Sequence, residues 1–191
     1  MKKFSLIVCT LVMMVSVTSA GELSEGENFT SVKLGMIGSG TVDIDGVDVD
    51  HSTGYSIGLG YDFPLGERGH YGISIDLHRM KWSGETERFD GQDAETLLDL
   101  GLTWKYMLIM SEDRFAVRPG VGIGFGTLRR RQALSGTNYL TLKMNLEIIY
   151  ASPWGMGLLV EAGGFYTPTG GDSETDIKIG PLPFIRAGVL F

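Results

Sequence analysis

From about Thr30 onward, apolar and polar positions alternate with a period of two, in segments that predict strands with one apolar face each. The first, Thr30 to Ile37, sets Val32, Leu34 and Met36 against Ser31, Lys33 and Gly35. The second, Thr53 to Phe63, alternates Tyr55, Ile57, Leu59, Tyr61 and Phe63 with Ser56, Gly58, Gly60 and Asp62. A third opposes Tyr71, Ile73, Ile75 and Leu77 to Gly72, Ser74, Asp76 and His78. The fourth, Thr96 to Leu108, has Leu98, Leu100, Leu102, Trp104 and Tyr106 on its apolar face. The fifth, Phe115 to Leu128, sets Val117, Val121, Ile123 and Phe125 against Arg118, Gly120, Gly122, Gly124 and Gly126. A sixth carries Leu140 to Tyr150 on even positions, and a seventh carries Met156, Leu158, Val160 and Ala162. The eighth is Pro183 to Phe191, with Ile185, Ala187, Val189 and Phe191 on one face and Arg186 and Gly188 on the other. Pro181 and Pro183 each remove a ladder donor, so this strand is expected to pair poorly at its start or to begin only near Leu182.

Short connections (64–69, 111–114, 152–155) alternate with long ones (38–52, 83–95, 129–138, 167–176), and the long ones hold most of the charge. That is the layout of a membrane barrel with periplasmic turns and extracellular loops. The rival is a soluble barrel with an apolar lumen. Three patterns favour an apolar face towards lipid. Aromatics cluster at the short-turn ends as an interfacial belt: Tyr61, Phe63, Tyr71, Tyr106, Phe115, Tyr150, Trp154 and Phe191. The polar face is rich in glycine, as a narrow lumen requires beside long side chains. That face also carries both signs of charge in mid-strand, a candidate lumen network of Lys33, Asp76, Asp99, Lys105, Arg118, Lys143, Glu147, Glu161 and Arg186. Facing lipid at the midplane, each Lys or Arg would cost roughly 2 to 4 kcal/mol.

The terminal Phe191, at the end of an alternating strand, resembles the assembly signal of bacterial outer-membrane β-barrels. With the alternation, the chain resembles the small OmpA/OmpX-type barrels, no motif selecting a subfamily. The resemblance implies an all-β fold, an eight-stranded antiparallel up-and-down transmembrane β-barrel. It also implies that the last strand closes on the first near Val32 to Met36, and that Phe191 is read by the barrel-assembly machinery. An eight-stranded interior is just filled by side chains, which argues against a general porin.

Residues 1–20 read as a removed secretory signal peptide: Lys2 and Lys3, an apolar run, then Thr18-Ser19-Ala20. Residues 21–191 form one barrel domain, with no run long enough for a transmembrane helix. The single cysteine, Cys9, lies in the leader, so no cysteine metal site or disulfide is expected after cleavage. Without the leader, 14 basic residues face 23 acidic ones, a charge of −9 that disfavours nucleic acid. No cofactor is expected.

Gly54-Tyr55-Ser56-Ile57-Gly58 matches the G-x-S-x-G pattern, but within a strand rather than at a strand-to-helix elbow. Ser74, Asp76 and His78 have the composition of a catalytic triad, yet Ser74 and His78 should stand about 14 Å apart on one strand face. Asp76 could still orient His78. Asp43, Asp45, Asp48 and Asp50 flank Asp45-Gly46, whose pairing favours a type I′ hairpin with the aspartates gathered on one face; a hard-cation site there is the alternative to a solvated tip. Arg129, Arg130 and Arg131 offer bidentate partners for lipopolysaccharide phosphates or for the acidic loops. Asn28-Phe29-Thr30 matches a glycosylation sequon and means little in a bacterial envelope.

The expectation is therefore a monomeric outer-membrane barrel with an envelope-integrity or adhesin-like surface role and a lumen plugged by its charges. It would be in contact with outer-membrane lipid and lipopolysaccharide and have both termini periplasmic. The alternatives are a lipid A acyl hydrolase or acyltransferase, and a narrow channel or carrier for small molecules.

Overall fold

The computed structural model describes residues 26–82, 94–111, 114–129, 137–153, 155–171 and 176–191. The leader at 1–20, Trp154, Arg130, Arg131, most of the second and third long connections and residues 172–175 of the fourth lie outside these residues. Every described element is a strand: β1 (Phe29–Ile37), β2 (Gly40–Ile44), β3 (Val47–Leu65), β4 (Gly69–Trp82), β5 (Ala94–Tyr106), β6 (Leu108–Ser111), β7 (Phe115–Arg129), β8 (Thr137–Ala151), β9 (Gly157–Gly171) and β10 (Ile177–Leu190).

Eight of them close an antiparallel ring in the order β1-β3-β4-β5-β7-β8-β9-β10 and back to β1. The other two lengthen the wall. After Gly38 and Ser39, β2 extends the line of β1 and pairs with both β3 and β10. Beyond Met107, β6 continues β5 against the start of β7. The chain therefore forms an all-β, eight-stranded antiparallel barrel.

Closure is between the two ends of the barrel sequence. Leu34 faces Ala187 and Ile37 faces Phe184 across the β1–β10 seam, and Thr30 and Phe191 exchange two backbone hydrogen bonds of 2.8 and 2.9 Å. A closed ring leaves no unpaired strand edge, which is what lets strands cross a bilayer.

The expected fourth strand, Thr96 to Leu108, differs in its end: the ladder breaks at Met107, whose N–H donates instead to the Arg68 carbonyl of the β3–β4 turn. The expected late start of the last strand is also corrected. β10 begins at Ile177, five residues before Leu182. Its first residues pair with β2, its last with β1, and the prolines sit where the strand passes from one partner to the other. The register with β9 shifts between Ile179 and Leu182, so Pro181 falls at a bulge; Pro183 pairs in register with Gly164, and its carbonyl accepts from the Gly38 amide where β10 passes between β1 and β2.

Through the ring the apolar faces of the strands are outside: Leu34, Leu102, Phe125 and Met144 are exposed, while Lys33, Arg118, Glu147 and Arg186 are buried. The interior is not uniformly polar, however. At the short-turn end Phe29, Met107, Ala116, Ile149, Ala151, Leu159 and Leu190 form an apolar floor. At the long-connection end Ile37, Val42, Leu97, Leu128, Phe165, Ile177, Leu182 and Phe184 belong to an apolar ceiling. The charges lie between.

Candidate functional site: a charged lumen between apolar layers

Each inward charge is placed by strand parity, and the register sets which ones meet. Arg118 on β7 faces Glu147 on β8 directly, and Glu161 on β9 faces Arg186 on β10. Arg118 donates to Glu147 through Nε at 2.9 Å and Nη2 at 2.6 Å, and lies 2.9 Å from Asp62. Lys105 donates to both of these carboxylates at 3.0 Å. Lys33 sits 3.5 Å from Glu147 and 3.0 Å from Glu161, and so joins the next pair. Arg186 holds Glu161 through Nε at 2.9 Å and also binds Asp76, which accepts from Lys143 at 2.6 Å. The result is one continuous ladder: Asp62, Arg118 with Lys105, Glu147, Lys33, Glu161, Arg186, Asp76, Lys143.

Asp62 is the member that the sequence reading left out, although its position on the polar face of the second strand was its signal. Asp99 stands to one side, accepting from the Thr141 hydroxyl at 2.7 Å. Asn145 donates to Glu161 at 2.8 Å. Both ends of the ladder lean on aromatics of the apolar layers. The Arg118 guanidinium lies 5.2 Å from the Phe29 ring centroid, and Arg186 and Lys143 lie 4.6 and 5.3 Å from that of Phe184.

Glycine on neighbouring strands makes room for these arms. A Cβ on Gly58 would stand 2.6 Å from both Arg186 Nη1 and Asp76 Oδ1, and one on Gly124 would collide with Asp99 and Thr141. The long side chains come mainly from β1, β8, β9 and β10; β3 and β7 answer with Gly58, Gly60, Gly120, Gly122 and Gly124.

The triad residues are not assembled. The Ser74 hydroxyl donates to Asp76 at 3.3 Å, but Asp76 is taken up by Lys143 and Arg186. His78 stacks on Phe165 at 5.0 Å, and its Nδ1 is buried without a hydrogen-bond partner. Beside it is a cavity of about 10 Å³, lined by Asp76, Asp99, Thr141 and Lys143 among others. Ser56 of the G-x-S-x-G run is buried in the middle of β3, with no elbow around it.

The first long connection folds as β2, a turn and β3, with Asp45 and Gly46 at φ 55° and 78°, as the Asp-Gly hairpin expectation requires. Asp43 faces Asp48 across it, and Asp50 lies opposite Thr41 on the same side. Asp43 accepts from the Gly46 amide, Asp50 from the Thr41 hydroxyl and Asp45 from the Asp176 amide. No group of acidic and imidazole side chains among the described residues is arranged to hold a metal ion. Arg129 ends β7 opposite Thr96.

Of the belt residues, Tyr61, Phe63, Tyr71, Tyr106 and Tyr150 are exposed at the short-turn end, with Phe115 and Phe191 half-buried. Tyr55 and Tyr166 are outward aromatics near the other end, and Arg79 donates to the Tyr55 hydroxyl at 3.2 Å.

Residues 7–178 match the family described as the outer membrane protein beta-barrel domain. The chain belongs to that family. As a member of this outer-membrane barrel family it has close structural likenesses at low sequence identity, which show the fold alone. Neisserial surface protein A (NspA) superposes with a TM-score of 0.61 at 11% identity, covering 85% of this chain and 95% of that one. The outer membrane protein OprG from Pseudomonas aeruginosa gives 0.59 at 15% identity, covering 90% and 98%. No curated protein is similar in sequence. The barrel is thus a transmembrane protein of the bacterial outer membrane.

Proposed function

We propose that this barrel is a structural and surface-interaction element of the envelope whose lumen is closed, and not an enzyme or a pore. The observation that carries the reading is the ion ladder seated between two apolar layers. A solute would have to part Phe29, Met107 and Leu190, break several desolvated ion pairs, and then part Phe165, Leu182 and Phe184. Breaking one partner from a buried pair costs about 3 to 5 kcal/mol, so spontaneous opening is rare.

In this reading the short turns and both termini are periplasmic, the seam strand β10 carries the recognition signal for barrel assembly, and the acidic β2–β3 hairpin meets the medium. Arg129, with Arg130 and Arg131, meets lipopolysaccharide phosphates, so changing all three to Gln should lower co-purified lipopolysaccharide. Against acyl-chain chemistry stands the engagement of Asp76 by two cations, which leaves His78 without an orienting carboxylate.

Planar-bilayer recording of the refolded, heat-modifiable barrel tests the proposal. Silence is expected, together with no removal or transfer of lipid A acyl chains. Steady conductance, or acyl chemistry lost on His78→Ala, would overturn it.

A further inference from the structure

A recess of about 480 Å³ lies in the outer wall. It lies on the apolar, bilayer-facing surface of β5, β7, β8 and β9. Trp104 and Tyr106 form one side, Met144 and Leu146 rise within it, and the floor is lowered by Pro119, Ala162 and Gly164. The register explains the depression. Pro119, Leu146 and Ala162 are cross-strand neighbours, as are Val121, Met144 and Gly164, so two small residues and a proline come together on adjoining strands.

The recess sits in the half of the barrel nearer the short turns. Below it, one residue before β7, Arg114 is exposed at the β6–β7 turn, next to the belt residue Phe115. Five residues of strand separate Arg114 from Pro119, about 16 Å along the wall. A guanidinium at headgroup level below an apolar recess at acyl-chain depth is complementary to a single amphiphile: phosphate at one end, hydrocarbon at the other.

We propose that this recess is a retained-lipid site, holding one acyl chain of an inner-leaflet phospholipid whose phosphate is bound by Arg114. The occupant is a phospholipid and not lipid A because the recess lies on the short-turn half; this assignment rests on the orientation proposed above. The barrel surrounds itself with lipid everywhere; here the wall recedes beside two aromatics and above a cation.

The test uses the full barrel, refolded in detergent and exposed to palmitoyl-oleoyl phosphatidylglycerol. Native mass spectrometry counts the lipids retained. Quenching by brominated phosphatidylglycerol reports on Trp104 in a Trp82→Phe, Trp154→Phe background. Gly164→Leu fills the floor, Arg114→Gln removes the anchor, and Ala187→Leu enlarges a lipid-facing position outside the recess. Heat-modifiability shows that each variant is folded.

Expected are one strongly retained phosphatidylglycerol, retention about tenfold weaker in Arg114→Gln, corresponding to one charge-assisted contact, and quenching reduced in Gly164→Leu but not in Ala187→Leu. Equal retention and quenching across all four proteins would overturn the site, leaving the orientation untouched. Preferential retention of lipid A over phosphatidylglycerol, lost in the same two variants, would instead overturn the phospholipid assignment and with it the orientation.

Discussion

Glu147 receives more of the ladder than any other carboxylate, since Arg118, Lys105 and Lys33 all converge on it. Removing it leaves three buried cations to share Asp62 and Glu161. Glu147→Ala should therefore cost about 3 to 5 kcal/mol, the penalty for an uncompensated buried charge, measured as a lower urea midpoint for unfolding from vesicles. An outward substitution at the same height, Leu146→Ala, keeps the pairs intact and should cost much less. Gly58 is the complementary case. Gly58→Val would push a branched side chain into the Arg186–Asp76 contact, and an overpacked interior typically loses about 1 to 3 kcal/mol. The same titration checks it. That glycine lines the lumen was legible from its place on the polar face; which arm it admits was not, because Arg186 lies 128 positions further along the chain.

At the scale of elements, the β2–β3 hairpin shows how far local chemistry reaches. Its Asp45-Gly46 turn was readable because both positions need positive φ, and both have it. Gly46→Val forces a β-branched residue into that region at about 1 to 2 kcal/mol. The loss should stay local: faster amide hydrogen exchange in β2 and the first residues of β3, with the heat-modifiable mobility of the barrel unchanged. The last strand teaches the opposite lesson. Read alone, Pro181 and Pro183 argue for a late start near Leu182. In the barrel both fall where β10 passes from β1 to β2 as partner, and Pro181 lies within the register shift against β9, so the strand continues to Ile177. What decides whether a proline interrupts a strand is which neighbour expected its N–H, and that neighbour is distant in sequence.

For the whole molecule, the floor and the ceiling should act together as the seal. Phe29→Ala or Phe184→Ala alone opens one layer and leaves the ladder and the other layer in place, so planar-bilayer recordings should stay silent. The double change removes an aromatic from both layers and both of the cation–π supports they give to Arg118 and Arg186; brief current steps are then expected. The eight-strand alternation, the outward apolar faces, the outward aromatics at the short-turn end and the charged inner face were all determined by the sequence itself, because a strand's two faces follow a period of two that any stretch displays locally. The layering was decided only by the tertiary structure. Phe29 and Leu97 are single apolar residues at the ends of otherwise polar faces, and nothing near them in sequence marks Phe29 as belonging with Ile149 or Leu97 with Phe165. They meet, as do Asp62 with Arg118 and Glu161 with Lys33, because ring closure and strand register bring positions from different strands to one height.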